Sequence, residues 1–135
     1  HHVGRLFSDS IGAAESYFRD TKIFPIMHVL GVRRSLVDAH PWLPGALVKA
    51  FSQAKKLAQD ALQDTSATKV TMPFVEDTLN RAQAMMGDDP WTYGVASNAH
   101  VLDKFLEYHH DQGLSPRRVA VEDLFHPSTY EAYSL

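Results

Sequence analysis

Apolar residues recur at helical spacing four times along the chain and form an unbroken run once. Asp9 or Ser10 can cap a short helix over residues 9–20, with Ile11, Ala14 and Phe18 on one face. Pro41 suits a first helical turn. Leu43, Leu47, Ala50, Phe51, Ala54, Leu57, Ala58 and Ala61 then predict the buried face of a long helix ending near residue 63. Its other side carries Lys49, Gln53, Lys55, Lys56 and Gln59, and reads as solvated. After a polar linker, Val75, Leu79, Ala82 and Met86 mark a helix over about 73–86. Glu76 and Asp77 suit its positive first turn, and Gly87 stops it. Ser97 can cap a further helix to about Gln112, with Val101, Leu102, Phe105 and Leu106 inward and Gly113 at its end. Val121 to Phe125 is a short helical candidate.

The unbroken run is Ile23 to Val32, followed by Arg33 and Arg34. Its continuous apolar, β-branched character predicts a strand buried on both faces, with Pro25 at its start. A buried helix or an extended core segment is the alternative reading of so short a run. A buried strand needs neighbours for its N–H and C=O groups, and no second convincing strand is visible. The expected fold is therefore a mainly helical piece with one principal strand, taken from a larger α/β parent. Otherwise the strand pairs with its copy in a homo-oligomer.

At 135 residues the chain has room for one ordinary domain. Thirteen Lys and Arg against sixteen Asp and Glu give a net charge of −3. That balance gives no electrostatic case for nucleic acid or an anionic membrane. The absence of cysteine removes disulfides, thiolate metal sites and Cys nucleophiles. The longest apolar run is too short to span a bilayer, and no secretory signal is visible. His1 and His2 read as the remnant of a purification tag, leaving residues 3–135 as a single region.

Eight histidines invite a metal reading, but the spacing argues against it. His109 and His110 are adjacent on a helix, His100 is out of phase with them, and no HExxH pattern occurs. His28 stands apart, because a titratable ring in the most apolar segment is costly unless hydrogen-bonded. It reads either as a satisfied core histidine or as a general acid or base facing a cleft. Arg33 and Arg34 could grip a carboxylate bidentately or simply be solvated at the strand exit. Trp91 and Tyr93, in the loop Asp88-Asp89-Pro90-Trp91-Thr92-Tyr93-Gly94, could stack on an aromatic ligand or pack under the loop. No P-loop, GxSxG or dinucleotide glycine pattern is present.

Several strings in fixed order carry a resemblance: Ile23-Phe24-Pro25-Ile26-Met27-His28, His40-Pro41-Trp42, Met86-Gly87-Asp88-Asp89-Pro90-Trp91-Thr92-Tyr93-Gly94, Asn98, Gln112-Gly113-Leu114 and Leu124-Phe125. Together they resemble the carboxy-terminal part of the 4,5-dihydroxyphthalate decarboxylase family, from about residue 3 to about 127. The first and third strings are the specific ones. The resemblance implies a parent of the type II periplasmic-binding-protein kind, with two α/β lobes around a ligand cleft. It implies a cytoplasmic carboxy-lyase of aromatic degradation that converts 4,5-dihydroxyphthalate to protocatechuate without a cofactor or metal. The expected partner is a small aromatic dicarboxylate, with no nucleic acid or membrane. Under it, His28 is the expected acid/base, Arg33 or Arg34 a carboxylate grip, and Trp91 and Tyr93 the cleft rim. The alternative is a fragment of the solute-binding protein of an ABC-type transporter, because many proteins of this fold only bind and deliver a small molecule. The 135-residue chain alone is expected to be inactive, since it offers at most one wall of such a cleft.

Overall fold

A computed structural model describes residues 3–67 and 69–130; His1 and His2, read above as a tag remnant, lie outside the described residues. Five helices follow one another: α1 (Ser10–Thr21), α2 (Arg34–Ala39), α3 (Leu43–Gln63), α4 (Val75–Met86) and α5 (Val95–Asp111). Two single-turn 3₁₀ segments, Val121–Asp123 and Pro127–Thr129, come after α5.

The helix ends follow local chemistry. Asp9 caps α1 by accepting the Gly12 N–H at 2.9 Å. Pro44 sits in the first turn of α3, where its missing N–H costs nothing. Gly87, at φ 88°, terminates α4. Gly113, at φ 73°, ends α5 in a Schellman motif: its own N–H bonds the His110 carbonyl at 2.8 Å and Leu114 N–H bonds the His109 carbonyl at 3.0 Å. Ser97 is not the cap of α5. The helix begins two residues earlier at Val95, after Gly94, whose φ of 99° favours a residue without Cβ.

No strand forms among the described residues, so the expected principal strand is corrected. Residues 22–33 run as irregular chain, and Phe24, Ile26, Met27, Val29 and Leu30 are exposed. The physical reason is pairing. A β-rich composition makes a strand only beside a second strand, and the remaining described residues fold as helices and turns. The homo-oligomer contact expected through this strand loses its edge for the same reason. α2 also begins at Arg34, directly after the run, where the sequence suggested only a strand exit.

The closed core is small. Leu102 and Leu106 of α5 meet Val121 from the first 3₁₀ turn, with Val95, Val119 and Phe125 packed around them. Phe105, expected inward, is exposed. The α4 stripe of Val75, Leu79, Ala82 and Met86 is half-buried, as its spacing predicts. The segment after α5 ties helices together: Pro127–Thr129 packs on α3, and the Tyr130 carbonyl accepts the Ala96 N–H at 2.9 Å. Glu15 of α1 is held by Arg81 of α4, and the His100 ring of α5 donates to the Lys22 carbonyl at 2.9 Å.

α3 follows the expectation only in part: Leu43, Leu47 and Ala61 are half-buried and Lys49, Gln53 and Lys56 are exposed, as the spacing predicts. Gly45, Val48, Ser52, Lys55 and Gln59 form its covered side, while Ala50, Phe51, Ala54, Leu57 and Ala58 face outward. The accessible surface, 10603 Å², exceeds the roughly 7,100 Å² of a compact monomer of this mass.

Candidate functional site

The loop from Gly87 to Gly94 is pinned at both ends. On one side Lys55 of α3 donates to Asp89 Oδ2 at 2.6 Å and to the Trp91 carbonyl at 3.0 Å. Gln59, one turn along the same face, donates to Asp89 Oδ1 at 3.1 Å. On the other side Asn98, in the first turns of α5, donates its amide to the Thr92 carbonyl at 3.0 Å and the Gly94 carbonyl at 2.8 Å. The Thr92 hydroxyl returns a bond to Asn98 Oδ1 at 3.3 Å. The loop's carbonyls and its carboxylate thus have partners from two helices.

This framework presents two aromatics. Lys55 Nζ lies 4.6 Å from the centroid of the Tyr93 ring, within cation–π range. Trp91 stacks on Phe24 with ring centroids 4.9 Å apart and a tilt of 34°. Both loop aromatics remain partly exposed, Trp91 at 44% and Tyr93 at 37%. The Phe24 contact brings the irregular apolar segment to the loop, so the two most specific strings of the resemblance meet in space.

The electrostatics are those of a seated carboxylate. Burial pushes the Asp89 carboxyl up. The hydrogen bonds from Lys55 and Gln59, the Lys55 charge and the Trp91 N–H outweigh that and hold it below the usual carboxylate range. The lysine is the more enclosed partner, its side chain only 14% exposed.

The other expected site residues are less gathered. His28 is exposed, four residues beyond Phe24, so at most about 14 Å of chain separates it from the aromatic contact. Its apolar neighbours in sequence do not enclose it. Arg33 and Arg34 are exposed at the start of α2; the Arg33 carbonyl accepts the Leu36 N–H at 2.9 Å. Among the described residues no three His, Asp or Glu side chains are grouped so as to hold a metal ion. No helix among them is long and apolar enough to cross a membrane.

Sequence reasoning missed Lys55 and Gln59, which looked like parts of a solvated face. The available signal was spacing: Ser52, Lys55 and Gln59 share one helical stripe with Gly45 and Val48, and the acid that needs such partners lies in the loop with the aromatics.

No family model matches the chain. Over 133 residues, 98% of its length, this chain is 54% identical to the 4,5-dihydroxyphthalate decarboxylase of Comamonas testosteroni, and it spans 40% of that protein.

Proposed function

We propose that this chain forms part of a carboxy-lyase acting on 4,5-dihydroxyphthalate in the cytoplasm. The 54% identity over nearly the whole chain carries the reading. In this reading the exposed apolar side of α3 is covered by the rest of a longer protein, which would also remove the surplus surface.

The reaction can be argued from the substrate. Each carboxylate is para to a ring hydroxyl. Removing that hydroxyl's proton pushes electron density onto the carbon bearing the carboxylate. Protonation there gives a dienone, and breaking the bond to the carboxylate releases carbon dioxide and restores the aromatic ring of protocatechuate. The ring itself takes up the electrons, so the protein's tasks are proton transfer, gripping two carboxylates and excluding water.

In this scheme His28 exchanges the proton, Arg33 or Arg34 holds a carboxylate, and Trp91 and Tyr93 offer flat apolar faces to the ring. The meeting of Phe24 with Trp91 supports placing the histidine segment and the loop on one wall. The exposure of His28 fits a group whose surroundings are completed by an opposing wall. An isolated 135-residue chain holds no substrate between two walls, and lost orientation alone removes about 7–11 kcal/mol of catalytic advantage.

Incubating the complete protein with 4,5-dihydroxyphthalate should yield protocatechuate and one equivalent of carbon dioxide. Its failure to do so overturns the reading, and tight binding without turnover would favour a solute-binding role. In an active protein, His28→Ala should lower turnover about a hundredfold or more. Unchanged turnover would remove His28 from the chemistry.

A further inference from the structure

We propose that Lys55 is a positioning residue that seats Trp91 and Tyr93 at the rim of the site. The inference rests on the decarboxylase reading for what the rim binds, but its geometry stands by itself. A lysine ammonium has three N–H donors. Lys55 has three partners converging on them: the Asp89 carboxylate at 2.6 Å, the Trp91 carbonyl at 3.0 Å and the Tyr93 ring with its centroid at 4.6 Å. All three partners belong to one five-residue stretch of the loop. Its side chain is only 14% exposed and its contacts run to the loop, so it acts through the aromatics.

Two further contacts make the seat specific. Gln59 fixes the second oxygen of Asp89, so the carboxylate is held by both oxygens from one helical face. Asn98 fixes the far end of the loop from α5. The loop therefore bridges α3 and α5, and the lysine is its anchor on α3. Released from Lys55, the loop keeps its Asn98 end and the Phe24 contact but loses the hydrogen bond that holds the Trp91 carbonyl.

The test uses Trp91 as reporter, with Trp42→Phe leaving it the sole tryptophan. Lys55→Met keeps the stem and removes the charge; Asp89→Asn removes the other half of the pair. Each should shift Trp91 emission to longer wavelength. Each should also raise acrylamide quenching about twofold as an indole now 44% exposed becomes open to water. Helical circular dichroism should stay unchanged. Lys55→Arg, which can fork onto Asp89, should keep the parent spectrum. An unshifted Trp91 in both Lys55→Met and Asp89→Asn overturns the proposal. So does a shift accompanied by loss of helical signal, which would make Lys55 a general stabiliser. In the complete protein, Lys55→Met should raise KM for 4,5-dihydroxyphthalate more than it lowers kcat. Absence of turnover in the unmodified protein would overturn the decarboxylase reading alone and leave the Trp91 result standing.

Discussion

α5 and α3 are both long amphipathic helices, yet α5 closes an apolar cluster while the covered side of α3 mixes apolar with polar residues. α5 turns Leu102 and Leu106 onto Val121, and the chain that follows it supplies Val119 and Phe125 to finish the cluster. α3 turns Ser52, Lys55 and Gln59 toward the protein and leaves Phe51 and Leu57 outside, Leu57 at 71% exposure. The difference lies in what each helix has beside it. An apolar stripe states which face gains by leaving water; whether it does so depends on apolar surface being available to meet it. Near α5 that surface is ten to twenty residues along the chain. Near α3 the neighbouring loop offers instead a carboxylate and a carbonyl, which recruit the lysine.

The comparison breaks first at the α5 cluster. Leu106→Ala removes a buried side chain from a core with few members, and should cost about 2–5 kcal/mol. Chemical denaturation of this chain and of the variant measures it. A cost as small as that of an exposed residue would mean that α5, like α3, lacks a closed apolar partner.

The sequence made the helices legible because caps, glycines and spacing act within a few residues. Asp9, Gly87 and Gly113 do in the structure what their local chemistry requires. The α4 stripe could be read for the same reason. The failures involve partners distant in sequence. Ile23 to Val32 has the composition of a buried strand, but no pattern within a segment tells whether a second strand exists. Lys55 and Asp89 are thirty-four positions apart, and each alone resembles an ordinary surface charge. Trp91 and Tyr93 were visible as unusual loop residues, whereas the lysine of α3 that reaches their loop was not. His28, Arg33 and Arg34 were visible as chemistry, but the segment that carries them runs exposed.

A smaller effect sharpens the polar side of α3. Asp89 has a folded pKa below its ordinary value, through Lys55, Gln59 and the Trp91 N–H against the opposing effect of burial. A depressed carboxylate stabilises the fold above its unfolded pKa of about 3.9, and that contribution is lost as pH falls through the folded value. The stability difference between this chain and Asp89→Asn should therefore be constant above about pH 5 and shrink below about pH 4. Neighbouring Asp88 is present in both proteins and drops out of the difference. Urea titrations at a series of pH values give this curve. A difference that grows on acidification would show that Asp89 is not held as the anion.

The smallest effect tests the apolar side of α3. Leu57→Gln replaces an apolar side chain that is already mostly in water, so in this chain it should change stability by no more than about 0.5 kcal/mol. The same substitution should behave differently if the stripe is covered by the remainder of a longer protein. There it would place an amide against apolar surface, at a cost of about 1–3 kcal/mol. Measuring Leu57→Gln in both forms separates the two states of one helix face. Equal, negligible costs in both would mean that α3 keeps its apolar side in water even in the complete protein. The surplus surface of this chain would then need another explanation. A large cost already in the 135-residue chain would mean that Leu57 is packed, and the contrast between α3 and α5 would collapse.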